Sequence, residues 1–201
     1  MTLVDRLNAW CRKVPTWAVY IVCLIPIPVL YYQAVTGGLG RDPVKGLEHE
    51  LGEIALQLLI LGLSVSPLRK FTGLNLLKFR RAIGVVTFVY VSLHLLVYAA
   101  LDVQSLGRVW ADIVKRPYIT VGMLAFVLMI PLVATSNNRA TKALGATWRK
   151  LHLLTYPIAI LGAAHFIWLS KGFQLEPLVY LAIVLLLLST RLPKMMRSLK
   201  A

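Results

Sequence analysis

The chain has 201 residues, of which 58% are hydrophobic and 15% charged, with a mean hydropathy of +0.73. Soluble domains carry about 25% charged residues, so this composition excludes an ordinary soluble globular protein and points to an integral membrane protein. The net charge of +14 sits in short clusters between apolar runs, which makes it a topology signal and sets nucleic acid aside as a partner.

Six apolar runs are each long enough for a hydrocarbon core of about 30 Å, which takes about 20 helical residues. They are predicted near residues 17–36, 51–67, 82–101, 118–135, 151–169 and 176–192. Turn and breaker residues mark the joints: Gly37, Gly38, Gly40 and Pro43, then Pro67 and Gly73, later Pro117, Gly145 and Pro177. The first run is long and lacks a small-residue cleavage site, so it is expected to be a retained span rather than a signal peptide. Cys11 and Cys23 form neither a CxxC metal site nor a disulfide framework and are read as plain thiols. No linker is long enough to divide the chain, and residues 1–201 are expected to form a single transmembrane domain, an all-α bundle of six spans.

Orientation follows from the basic residues. The N-terminus (Arg6, Arg12, Lys13), the second loop (Arg69, Lys70, Lys78, Arg80, Arg81), the fourth loop (Arg139, Lys142, Arg149, Lys150) and the tail (Arg191, Lys194, Arg197, Lys200) hold 16 of the 22 lysines and arginines. The other three loops carry seven of the eight acids. Both termini are therefore expected on the cytoplasmic side of a multi-pass protein. Trp17, Trp110, Trp148 and Trp168 fall at run ends, where an interfacial aromatic belt is expected.

The histidines carry the chemistry. The third and fifth spans run in the same direction; His94 lies 13 residues beyond Arg81, and His165 lies 15 beyond Lys150. At 1.5 Å per residue both stand about 20 Å above the cytoplasmic boundary, within about 3 Å of each other in depth. Two imidazoles at one height on different helices suit the two axial positions of a haem iron, whose flat apolar ring fits between helices. No cysteine or carboxylate accompanies them at that depth, which argues against a zinc or di-iron site. A hydrogen-bonded packing role and a proton relay are the alternatives.

His152 lies about 20 Å below His165 on the same span. On an ideal helix the two imidazoles would point about 140° apart, but Pro157 between them is expected to kink or underwind the helix and leave their phase open. The readings for His152 are ligation of a second, cytoplasm-side haem, or a bond to a propionate, a phosphate or a quinone. Arg80, Arg81 and Arg149 are candidates for holding haem propionates or a flavin phosphate. His49, in RDPVKGLEHELGE, is placed in the outer loop before the second span and is read first as an exposed or loop-capping residue; the alternatives are coupling to the outer haem and quinone or partner contact, for which Arg41 is also a candidate. Other basic residues on that face, Lys45, Arg108, Lys115 and Arg116, are candidates for propionate or acceptor contacts. Gly84 and Gly162 are candidates for giving a macrocycle clearance, with ordinary helix packing as the equal alternative.

Five stretches together carry a resemblance: GGLGRDPVKGLEH (37–49), SPLRK (66–70), RRAIG with SLH (80–94), KRPYITVG (115–122) and WRKLHLLTY (148–156). They span most of the chain, which resembles the ferric-reductase-like transmembrane domain. Within that family it is similar to the haem-binding membrane subunits of bacterial periplasmic methionine-sulfoxide reductase systems. The resemblance implies b-type haem, one or two, with FMN as a further cofactor, and an inner-membrane location. It implies electrons arriving from the quinone pool or a cytosolic flavin reductase. They would leave to a periplasmic molybdopterin-dependent catalytic subunit, in a heterodimer, that repairs oxidised methionines. Two-haem members of the fold carry paired histidines on both helices, whereas the third span here has only His94.

Because no GxGxxG fingerprint follows a strand, no nicotinamide domain is expected and electrons must come from another molecule. The sequence therefore reads as an electron conduit that does not itself act on methionine sulfoxide. The alternatives are a stand-alone quinol-linked ferric or metal reductase and a proton-coupled transporter using its histidines. A transporter would show matched broken helices in its two halves, and the sequence has no such pair.

Overall fold

Proline and glycine set most of the helix boundaries. The structure, a computed structural model, describes residues 2–170 and 174–191. Leu192, the expected end of the sixth run, and the basic tail residues Lys194, Arg197 and Lys200 lie outside the described residues. Among the described residues every regular element is helical, and the chain divides into two compact units, residues 1–104 and 105–201.

The first unit begins with α1 (Leu3–Lys13), closed at its start by a reciprocal capping box between Thr2 and Asp5. The first span is two helices, α2 (Thr16–Leu24) and α3 (Pro26–Thr36). They part at Ile25 because Pro26 and Pro28 supply no N–H to the preceding turn. Next comes α4 (Pro43–Thr72), 30 residues long and far longer than the expected 51–67. Its start lies upstream because the Asp42 side chain accepts from Lys45 N–H at 3.1 Å and Pro43 occupies the first turn. His49, expected in a loop, is therefore on a helix; the charges of KGLEHELGE hid a capped helical turn. After Gly73, whose φ of +79° ends α4, a short 3₁₀ turn (Leu77–Phe79) leads into α5 (Arg80–Val97). A π-helical turn, Tyr98–Val103, follows, and its Asp102 receives Lys45 Nζ from the first turn of α4 at 2.5 Å.

Helices α4 and α5 pack antiparallel: Gly52 lies against His94 at one end, and Gly62, ten residues on, against Ile83. Leu47, Leu51, Leu58, Val86, Tyr90 and Val97 form the buried seam. Tyr90 is fully buried, and its hydroxyl donates to the Cys23 carbonyl of α2 at 2.8 Å. Both cysteines are free thiols, as the sequence suggests.

The second unit holds α6 (Leu106–Lys115), α7 (Pro117–Ala134), α8 (Asn138–Leu151), a 3₁₀ turn (His152–Leu154), α9 (Thr155–Leu169) and α10 (Leu175–Ser189). α6 is an amphipathic helix where only a loop was expected. Helix α8 is kinked at Gly145, whose φ of +50° and ψ of −114° suit glycine alone. Pro157 does disturb the fifth span, but by tightening it into the 3₁₀ turn rather than underwinding it. That turn ends one residue before Thr155, where the missing Pro157 N–H falls in the first turn of α9 and costs no interior bond. Ala159 and Ala163, one turn apart and fully buried, let α9 approach its neighbours closely.

Five segments are long and apolar enough to cross a membrane: Thr16–Thr36, Pro43–Thr72, Leu77–Val103, Pro117–Ala134 and Asn138–Leu169. Leu175–Ser189 is a shorter apolar helix of 15 residues. This is an all-α, multi-pass membrane protein. Trp17, Trp110 and Trp168 are exposed, as a belt requires. Trp148 is not: it is half-buried and packed on His152.

Candidate functional site

In the first unit His94 lies in the last turn of α5, half-buried against the first turns of α4. Its Nδ1 is 2.7 Å from the Glu48 carbonyl oxygen. A carbonyl can only accept, so Nδ1 carries the proton and the neutral ring keeps its lone pair on Nε2. That is the tautomer a metal-binding histidine adopts when its other nitrogen is fixed by the protein.

The second unit repeats this arrangement. His165 lies in the last two turns of α9, half-buried, and its Nδ1 is 2.7 Å from the Tyr118 carbonyl at the start of α7. The same chemistry assigns the proton to Nδ1 and the lone pair to Nε2. The Tyr118 ring lies beside the imidazole, with centroids 6.3 Å apart.

His152 has a different setting. It stands at the opposite end of the α7–α9 pair, with Nε2 at 3.1 Å from the Thr135 hydroxyl. Its ring stacks on Trp148 with centroids 3.9 Å apart, and the Trp148 indole N–H donates to the Thr135 carbonyl at 2.9 Å. Here Nε2 meets a hydroxyl that itself donates to the Pro131 carbonyl at 2.7 Å. Histidine, tryptophan and threonine thus lock the turn between α8 and α9 to the end of α7.

His49 points along α4, with Nε2 4.0 Å from the Glu53 carboxylate one turn on. Gln57, a further turn along, donates to the other Glu53 oxygen at 2.8 Å. Arg41 is exposed just ahead of α4, Arg80 and Arg81 open α5, and Arg149 is exposed in the last turn of α8. Two of the bases expected in outer loops are engaged in ion pairs: Lys45, on α4, with Glu48 and Asp102, and Arg116 with Asp112 at 3.1 Å. Gly84 has open space at its Cβ position.

Sequence reasoning missed two glycines and two carbonyls. Gly52 faces the His94 ring and Gly122 faces the His165 ring, four residues after the carbonyls that fix those rings. The available signal was a glycine 42 residues before one histidine and 43 before the other.

Among the described residues no group of three or more His, Cys, Asp or Glu side chains converges as a bare metal-ion site. Imidazoles in the Nε2 lone-pair form suit instead a metal that brings most of its ligands with it, as iron in a porphyrin does. The donor chemistry of His94 and His165 therefore fits haem.

The chain matches the family described as Ferric reductase like transmembrane component over residues 51–163. It is 45% identical over 177 residues to the Agrobacterium fabrum protein-methionine-sulfoxide reductase heme-binding subunit MsrQ, covering 88% of this chain and 82% of that protein. The MsrQ subunit of Brucella ovis is 45% identical over 180 residues, covering 89% and 81%. That of Brucella anthropi is 44% identical over 177 residues, covering 88% and 80%. No solved structure matches the chain.

Proposed function

Because the chain belongs to the ferric reductase like transmembrane family, in the branch of the MsrQ haem-binding subunits, we propose that it is a membrane electron-transfer subunit for protein methionine-sulfoxide repair. His94 and His165 would hold one b-type haem through their Nε2 lone pairs. The observation that carries this assignment is the shared hydrogen bond: each ring gives its Nδ1 proton to a backbone carbonyl at 2.7 Å and retains the Nε2 lone pair. Their equal depth along the sequence supports the pairing. Bound haem would supply one-electron chemistry between ferric and ferrous iron, and two histidines holding it would suit electron transfer rather than oxygen binding. The carbonyls of Glu48 and Tyr118 orient the rings and raise their basicity, which favours the ferric state. A second haem on His152 would need Nε2 to leave the Thr135 hydroxyl, so this reading keeps one haem and gives His152 a positioning role in the α7–α8–α9 turn.

Electrons come from the quinone pool, or from a cytosolic flavin reductase, and pass to a periplasmic molybdopterin-dependent partner of the bacterial inner membrane. The partner, the FMN cofactor, the inner membrane and the cytoplasmic placement of both termini rest on the resemblance and on the clustering of basic residues. Arg80, Arg81 and Arg149 are the proposed contacts for a flavin phosphate or haem propionates. On α4 the row of His49, Glu53 and Gln57 supplies proton-accepting atoms, His49 Nε2 and the Glu53 carboxylate, where a quinol would shed protons; Arg41 stands nearby in sequence for a partner or quinone contact. A stand-alone quinol-linked metal reductase is the second reading, favoured by the family description; the relatives' names, which speak of a subunit, favour the first.

The test is haem per polypeptide with reduced-minus-oxidised spectra of the purified protein. The expected result is one low-spin haem, lost in both His94→Ala and His165→Ala and kept in His152→Ala. An unchanged spectrum in either of the first two overturns the ligand assignment. Rapid reduction of a ferric chelate by the protein and quinol alone would move the reading to the metal reductase, and a wild-type protein without a Soret band would revive the transporter.

A further inference from the structure

Both units hold an imidazole by the same three-part device. In the first, the Glu48 carbonyl on α4 fixes His94 and Gly52 lies one turn further on. In the second, the Tyr118 carbonyl on α7 fixes His165 and Gly122 lies one turn further on. The spacing has a geometric cause. In an α-helix every Cα–Cβ bond tilts toward the N-terminus, so the side chain at i+4 covers the carbonyl at i. A ring from a neighbouring helix can reach that carbonyl from the same side only where residue i+4 has no side chain.

The distances bear this out. A Cβ placed on Gly122 would lie 2.8 Å from His165 Nδ1 and 2.9 Å from Cε1, with Cγ at 3.2 Å. On Gly52 it would lie 3.0 Å from His94 Nδ1 and 3.1 Å from Cε1. The atom approached first is in each case Nδ1, the one making the hydrogen bond. A neighbouring glycine gives the contrast: a Cβ on Gly62 would meet only Ile83 Cγ2, at an ordinary 3.5 Å.

We propose that Gly52 and Gly122 are positioning residues for His94 and His165: their bare Cα atoms admit the imidazole to the carbonyl four residues earlier, which sets the Nε2 lone-pair tautomer. The role as ligand seats rests on the haem reading above, while the tautomer itself does not. Gly122→Ala must push the ring off the Tyr118 carbonyl, because a contact of 2.8 Å is shorter than packed carbon tolerates. Gly52→Ala needs a shift of only a few tenths of an ångström, so its effect is smaller.

The experiment compares Gly122→Ala, Gly52→Ala and the control Gly62→Ala by haem titration of the haem-free protein and by midpoint potential. Gly122→Ala is expected to weaken haem binding about 10- to 100-fold, the range found when outer partners of metal-bound histidines are lost. It should also raise the midpoint potential, since a ring without its carbonyl partner donates less to ferric iron. Gly52→Ala is expected to move both in the same direction by less, and Gly62→Ala neither. Wild-type affinity and potential in Gly122→Ala would overturn the proposal. Nitrogen NMR of isotope-labelled histidines in haem-free wild type gives a reading that no folding defect can confuse. His94 and His165 are expected with the proton on Nδ1, and a majority of Nε2–H form at either would overturn the device. If wild type takes up no haem but both rings show the Nδ1–H form, the haem reading fails and the seat stands.

Discussion

Gly145 and Gly84 offer a comparison in which one substitution should have opposite signs. A Cβ at either position meets nothing within 4 Å, so neither change crowds a neighbour. Gly84 has ordinary helical backbone inside α5, where replacing glycine by alanine removes conformational freedom from the unfolded chain. Gly84→Ala should therefore stabilise by about 0.5–1 kcal/mol. Gly145 stands at φ +50° and ψ −114°, outside the regions open to residues with a Cβ. Holding alanine there costs about 1–3 kcal/mol. Relief by straightening α8 would drag Trp148 off His152 and Thr135, whose contacts begin three residues later. At about 2–4 °C per kcal/mol for a chain of this size, thermal unfolding should fall by at least about 2 °C in Gly145→Ala and rise by about 1–4 °C in Gly84→Ala. Tryptophan fluorescence should change in Gly145→Ala, as Trp148 loses its stacking partner, and not in Gly84→Ala. An alanine at 145 that is neutral or stabilising, with unchanged fluorescence, would refute the claim that this kink fixes the His152 turn.

Two further outcomes follow from the first unit. Tyr90→Phe removes the hydroxyl donated to Cys23 without changing the ring's packing; it should cost about 1–2 kcal/mol, read by thermal unfolding, and a cost near zero would mean the α2–α5 link is carried by packing alone. The Thr2 hydroxyl, then the Thr2 backbone N–H, hold the exposed Asp5 carboxyl below its usual range. A depressed folded pKa stabilises α1 above the ordinary value of about 3.9, and this is lost as pH falls through the lowered value. Amide-exchange protection of α1 should thus be level at neutral pH and decline below about pH 4. In Asp5→Asn that decline should disappear.

The spans were legible because lipid demands about 20 apolar residues in sequence; four of the six expected runs fall inside segments long enough to cross, and a fifth, 118–135, overruns its segment, Pro117–Ala134, by one residue. Helix ends were less legible. Lys45, Glu48 and Glu50 made the start of α4 look like a loop, although Asp42 and Pro43 are a start signal in their own right. α6 was hidden because its apolar residues, Leu106, Val109, Trp110, Ile113 and Val114, follow a helical period too short to register as a span. His94 and His165 stood out because an ionisable ring inside an apolar run is unusual. What fixes those rings did not, since a backbone carbonyl has no letter in a sequence and a glycine in a membrane helix usually marks packing alone. Trp148 shows the converse: its position at a run end suggested a belt, but its use depends on a turn set by Gly145 and Pro157.

Pulsed electron paramagnetic resonance on the ferric, haem-loaded protein with isotope-labelled histidine tests the central assignment most directly. The account predicts two labelled imidazole nitrogens coupled to one low-spin iron, with the coupling reduced to a single nitrogen, or the iron lost, in both His94→Ala and His165→Ala. Two coupled nitrogens persisting in either variant, or coupling that disappears only in His152→Ala, would contradict it.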